Sequence, residues 1–311
     1  MKQRFCFRGG ECDDDQRLDE FLAARFASHS RMYLSRLVAE NACAVNGLAA
    51  PAGYHLRIGD LVEIELDEDA ATAMTPDAIP LEILYEDERL LVLVKPAGML
   101  VHPTRGVKIG TLLNALAHHF KYSRIDDQLT PIRPGLVHRL DRATSGLMVI
   151  AKDQRALSVL ARHFHERRVE KLYRAVVRGI VAGDEHLIEV PIGRCDEEGV
   201  WPKWRALEDG GKSARTQLRV VGRRSGQTLV ELTPITGRTN QLRIHCAHLG
   251  HPIAGDEWYG AGGDDAARLC LHAARLAFHH PGGNRWLEFN SPLPPEIMQQ
   301  WQRPDSPSKE T

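Results

Sequence analysis

Apolar residues recur at helical spacing twice near the start of the chain, at Leu18, Phe21, Leu22 and Phe26 and then, with Ser30 as cap, at Tyr33, Leu34, Leu37 and Val38. A return every three to four positions predicts two short amphipathic helices. Asn46-Gly47 suits a tight hairpin turn, and beyond Gly59-Asp60 the residues Val62, Ile64 and Leu66 alternate with Glu63 and Glu65, the pattern of a half-buried strand. Residues 1–67 are therefore expected to form a small helix-helix-hairpin unit. Residues 68–80 are acidic, small and proline-punctuated, and read as a linker.

Residues 81–302 change character. Strand-like runs fall at 81–84, 90–94, 146–151, 173–178, 217–221 and 228–232, separated by turns and a few helices. One helix is expected to begin at Asp153 as its cap, with Ala156, Leu157, Leu160 and Phe164 on one face. A second is expected near Thr239, carrying Leu242, Cys246 and Leu249 and stopping at Gly250. The fold class is α+β, a small helix-helix-hairpin domain followed by a mixed domain with a largely antiparallel sheet. Residues 303–311 form a polar tail expected to be mobile.

With 311 residues and 43% hydrophobic content, the chain has the composition of a soluble globular protein of about two domains. No apolar run is long enough to span a bilayer and the N-terminus lacks a signal-peptide pattern, so no membrane association and a cytoplasmic location are expected. The six cysteines form no Cys-x-x-Cys pair and are read as free thiols. A net charge of -1 gives no global pull toward nucleic acid, but arginines and lysines gather between 155 and 178 and between 203 and 224. A near-neutral chain can still present a positive face. Trp201 and Trp204 flank Lys203 there, a combination able to stack bases or to pack on its own protein.

The segment His138 to Lys152 carries the densest chemistry. It sets Asp141 in a polar turn ahead of an apolar strand, rigidly held yet reachable, as a nucleophile or general base must be. The competing reading is a turn-capping aspartate, with Thr144, Ser145 and Gly146 as ordinary turn residues.

Other segments decide between these. Arg17-Leu18-Asp19, Ser30-Arg31, Val45-Asn46-Gly47 and Gly59-Asp60 together resemble the αL-type RNA-binding domain of ribosomal small-subunit protein four and of tyrosyl-tRNA synthetases. That resemblance implies Arg31 and Arg36 as phosphate contacts. Tyr85-Glu86-Asp87, Lys95-Pro96-Ala97-Gly98, His102-Pro103, the Asp141 segment, Lys171-Leu172-Tyr173, Gly237 through His245 and Gly250 through Gly260 occur in an order that resembles the RluA-type pseudouridine synthases, covering 81 to about 302. The resemblance implies isomerisation of uridine in RNA without a cofactor or metal, with large-subunit (23S-type) ribosomal RNA favoured over transfer RNA as target. It places the family's nucleophilic acid on Asp141, its active-site arginine on Arg243 and its stacking aromatic on Tyr173. Arg139 falls on a side chain that can enter the RNA stack when the target base swings out. Arg243, one position off the apolar stripe of its helix, is expected at a cleft edge, gripping Asp141 in a two-pronged contact and holding it ionised. Asn240 departs from the family pattern, where many members carry histidine. The partner is thus RNA, and the enzyme is expected to be a monomer.

Two alternatives come from other classes. His245, His248 and His251 sit three apart, a spacing that could gather metal ligands for a hydrolase, although Gly250 and Pro252 are expected to end the helix first. A non-catalytic RNA-binding protein would account for the N-terminal unit and the basic clusters, but not for Asp141, Tyr173 and Arg243 together.

Overall fold

A computed structural model describes residues 3–26, 29, 31–66, 75–104, 106–121, 134–195, 204–207, 210–260 and 266–304. Of Arg31 and Met32 it describes the backbone alone. Ser30, Trp201, Lys203, most of the expected linker and the end of the tail lie outside the described residues.

The chain divides into two compact units, residues 1–80 with 100–134 and residues 81–99 with 135–311. In the first, β1 (Gln3–Arg8) precedes α1 (Leu18–Arg25) and α2 (Arg31–Ala39), followed by β2 (Cys43–Val45), β3 (Leu48–Ala49) and β4 (Leu61–Leu66). The strands form an antiparallel sheet in the order β1-β4-β2-β3. Leu18, Phe21, Leu22, Leu34, Leu37 and Val38 bury against Val62, Ile64 and Leu66, as their periods predict. Asn46 and Gly47 both take positive φ, 53° and 78°, which a two-residue hairpin turn requires. The pattern did not announce β1, whose Phe5 and Phe7 alternate with polar residues and meet Phe26 edge-on at 5.1 and 5.6 Å.

The second unit opens with β5 (Glu82–Glu86) and β6 (Leu90–Lys95). The chain then contributes α3 (Leu112–Lys121) to the first unit, so the block expected to run unbroken from 81 to 302 is interrupted by 100–134. The second unit resumes with β7 (Gly135–Leu136), β8 (Ser145–Ala151), α4 (Gln154–His165), β9 (Glu170–Arg178), β10 (Glu185–Glu189), β11 (Ile192–Arg194) and β12 (Trp204–Ala206). It continues through β13 (Arg215–Arg224), β14 (Gln227–Pro234), α5 (Gln241–His248), β15 (Leu271–His279), β16 (Trp286–Asn290) and α6 (Pro295–Gln302). One large sheet runs β10-β13-β14-β9-β15-β8-β6-β5, with β16 on β15 and β7 on β8. Every described pairing in it is antiparallel except β15 with β8. Strand β8 is buried along its whole length, which is why it reads as a continuous apolar run and not as an alternation. Asp153 caps α4 as expected, its carboxylate accepting from the Ala156 amide at 2.8 Å.

Gly146 is not turn chemistry. It lies inside β8 at φ +121°, and a Cβ there would stand 2.4 Å from the Ala273 carbonyl oxygen. Only glycine lets β8 approach β15 this closely at the root of the Asp141 turn. Among the described residues no helix is long and apolar enough to cross a membrane, and all six cysteines are free thiols.

Candidate active site

Asp141 opens a four-residue turn closed by the Thr144 amide donating to its carbonyl at 3.1 Å, immediately before β8. Two anchors fix this turn. On one side Lys95, at the end of β6 and fully buried, donates its ammonium to the carbonyls of Pro96 at 2.7 Å, Met99 at 2.9 Å and Arg142 at 3.3 Å. Burial and the charge of Arg268 lower the Lys95 pKa to about 7, against the pull of Asp141. On the other side Ser145 meets His272 Nδ1 at 2.9 Å and accepts from Arg268 at 2.6 Å, while His272 Nε2 meets Ser291 at 3.0 Å. Lys95 belongs to the Lys95-Pro96-Ala97-Gly98 block, but no local pattern in the sequence marks what it or His272 holds.

The turn faces an open cavity of about 1070 Å³ whose wall includes Asp141, Arg139, Tyr173, Arg243, Leu271 and His138. Asp141, Tyr173 and Arg243 thus come together from three separate segments. Arg139 is exposed at this wall. Arg36 lies on α2, exposed, in a 3.6 Å ion pair with Glu40 and over the Tyr33 ring at 5.4 Å, whereas the Arg31 side chain lies outside the described residues.

The expected two-pronged contact exists, but with a different acid. Arg243 lines the cavity but is largely buried, and its Nε and Nη2 donate to Asp256 at 2.7 and 2.6 Å. Asp256 also accepts from the amides of Trp258 and Tyr259, both at 3.0 Å, and the two rings lie 4.9 and 5.1 Å from the guanidinium carbon. Burial opposes the Arg243 charge, but Asp256 more than restores it and raises its pKa. Asp141 has no ion pair or side-chain hydrogen bond among the described residues.

The electrostatic expectation for Asp141 is therefore reversed. Burial raises its carboxyl pKa, and the positive charges of Arg243, Arg139 and Lys95 offset this only in part. Tyr173 lies on β9 between Leu232 of β14 and Ala273 of β15, half-buried. Burial first, and the negative charge of Asp141 second, push its phenol upward and keep it neutral.

Asn240 precedes α5 in the left-handed region at φ 54°, a conformation asparagine tolerates better than most residues, and donates to the Tyr259 hydroxyl at 3.0 Å. The histidine cluster does not converge on a metal. His245 is buried with Nδ1 at 2.9 Å from the Thr216 hydroxyl and Nε2 at 3.1 Å from the Val190 carbonyl, and His251 Nδ1 meets the Arg178 carbonyl at 2.8 Å. Among the described residues no three metal-ligating side chains gather.

Residues 89–248 match the family model described as RNA pseudouridylate synthase. A protein of Aquifex aeolicus (strain VF5), described as an uncharacterized RNA pseudouridine synthase, is 38% identical over 295 residues, covering 89% of this chain and 90% of the relative. Ribosomal large subunit pseudouridine synthase D of Pseudomonas aeruginosa is 35% identical over 297 residues, covering 91% and 90%. Among solved structures, Human RNA Pseudouridylate Synthase Domain Containing 1 is similar with a TM-score of 0.58 at 28% identity, covering 74% of this chain and 98% of that one.

Proposed function

The chain belongs to the RNA pseudouridylate synthase family and is an RNA pseudouridine synthase; from that premise we propose that it acts on uridines of large-subunit ribosomal RNA, with Asp141 as the reacting acid. The arrangement of Asp141, Tyr173 and Arg243 around one cavity carries the site assignment. The target is supported by relatives named ribosomal large subunit pseudouridine synthase D. We further assign RNA binding to the helix-helix-hairpin unit, with Arg31 and Arg36 as phosphate contacts, and entry into the RNA stack to Arg139.

Pseudouridine forms when the glycosidic carbon-nitrogen bond breaks, the uracil turns and ring carbon five bonds to the sugar. Asp141 serves either by attacking the anomeric carbon or by taking a sugar proton to give a glycal, and both routes begin from an ionised oxygen and consume its charge. The Tyr173 ring offers a stacking face for the uracil, a contact worth on the order of 1 to 3 kcal/mol. Its phenol is a poor base while Asp141 is negative. Forming the carbon-carbon bond releases Asp141 as a carboxylate again, so its negative charge is once more present when the carbon-five proton must leave and the acid itself can accept that proton. Arg243, braced by Asp256, supplies a fixed positive charge that favours the ionised acid.

Mapping pseudouridines in total RNA from cells with and without this protein tests the target. Loss of a large-subunit position is expected. A difference confined to transfer RNA would overturn the ribosomal assignment.

A further inference from the structure

Two groups in the cavity wall have no role in this scheme. His138 stacks on the Phe164 ring with centroids 4.7 Å apart and planes 17° from parallel, and its Nε2 accepts the Val149 amide of β8 at 3.1 Å. A ring nitrogen that accepts carries no proton, so this imidazole is neutral with its hydrogen on Nδ1. The two ring nitrogens point in nearly opposite directions, so Nδ1–H points away from the β8 backbone, and it has no partner among the described residues. Lys171 sets its ammonium over the same Phe164 ring at 5.7 Å. It too lines the cavity, half-buried, with no carboxylate or hydrogen-bond partner among the described residues. Nearby acids are engaged elsewhere, Glu170 with Arg275 at 2.8 Å and Glu166 with Arg168 at 3.5 Å.

A half-buried ammonium without a counter-ion is costly, and burial lowers the Lys171 pKa. An anion arriving from outside would supply the missing counter-charge. We infer that His138 Nδ1–H and the Lys171 ammonium, both held against Phe164, form a phosphodiester subsite that grips the RNA backbone beside the target nucleotide. This rests on the reading of the cavity as an RNA site. A phosphodiester has two non-bridging oxygens, enough to accept from both donors, and its charge supplies what Lys171 lacks.

The test measures binding of the full chain to an in vitro transcript of large-subunit RNA across a range of potassium chloride concentrations. Lys171→Met keeps an apolar stem over Phe164 and removes the charge. It is expected to weaken binding about tenfold at low salt and to lower the slope of log affinity against log salt by about 0.7 to 0.9, one phosphate contact. Its melting temperature is expected to hold or rise. His138→Gln keeps an acceptor for the Val149 amide and loses the Nδ1 donor, so affinity should fall while stability and slope are kept. His138→Asn keeps a donor near Nδ1 and loses the acceptor, so stability should fall while affinity in the folded protein is kept. An unchanged slope and affinity in Lys171→Met overturns the subsite. Should that variant fail to fold, amine acylation of the wild type followed by mass spectrometry replaces it. Slower modification of Lys171 with transcript bound supports the subsite, and equal modification overturns it. Tritium release from carbon five of the same transcript is read in parallel. Absence of release with a Lys171-dependent slope would sink the catalytic reading and leave the subsite standing, whereas release with no Lys171 effect would do the reverse.

Discussion

Asp141 combines two demands that conflict. A carboxyl whose pKa is raised on folding contributes stability only while protonated, and that contribution is lost as pH rises through the folded pKa. The ionised Asp141 needed for catalysis is therefore a burden on the fold at neutral pH. Asp141→Asn should abolish turnover, leave RNA affinity nearly unchanged and melt higher than the wild type, as circular dichroism would measure. A lower melting temperature would contradict the burial argument. The acid limb of the rate profile should lie above the ordinary carboxylate range, since the rate falls as Asp141 is protonated. Arg243→Met removes an offsetting positive charge and should move that limb further up. It also strands Asp256, whose side chain is fully buried. Breaking a buried pair by removing one partner costs about 3 to 5 kcal/mol, so urea denaturation should show a loss of that order. The double variant Arg243→Met/Asp256→Asn should regain most of the stability and none of the rate, which separates bracing from chemistry.

At the scale of elements, the site depends on how closely β8 and β15 pack. His272 opposes Ser145 and Ala273 opposes Gly146, so the strand that carries the Asp141 turn takes its position from a segment more than a hundred residues away. Gly146→Ala should cost about 1 to 3 kcal/mol for the positive φ alone, with the clash at the Ala273 carbonyl added. Gly47→Ala is the matched control, since Gly47 also has positive φ but nothing within 4 Å of a Cβ. A loss no larger at Gly146 than at Gly47, measured by denaturant titration, would refute the close-approach argument. On the far wall, Gln241 locks the start of α5. Its carboxamide accepts from the Arg238 amide at 3.0 Å and the Thr236 hydroxyl at 2.7 Å, and donates to the Arg215 carbonyl and the Thr216 hydroxyl, both at 2.9 Å. The helix that carries Arg243 is thereby tied to β13.

Over the whole molecule, the net charge of -1 hides how the arginines are spent. Much of the basic clustering seen in sequence is consumed internally: Arg174 and Arg219 both pair with Glu231, Arg215 with Glu189 and Arg223 with Asp184. In the cavity wall Arg139, Arg167, Arg238 and Lys171 carry no carboxylate partner among the described residues. If these four meet phosphates, affinity for RNA should fall by roughly 50- to 150-fold between 50 and 200 mM salt, as filter binding would register. A salt-independent affinity would rule out this face as the RNA surface. Activity should also survive a chelator, because the ring nitrogens of His245 are both engaged by protein groups.

Sequence by itself determined what is local. The helices around Leu18 and Tyr33, the strand Val62 to Leu66, the Asp153 cap and the Asp141 turn each follow from a period or a capping residue within about a dozen positions, and the family blocks are read in chain order. Tertiary structure alone decided which charges meet and what they do. Nothing in a helical stripe says that Arg243 will grip Asp256 and not Asp141, or that β1 will pair with β4. The direction of the Asp141 shift likewise depends on how completely distant strands exclude water from it. Periodicity is a property of neighbours along the chain, whereas desolvation and ion pairing are sums over neighbours in space.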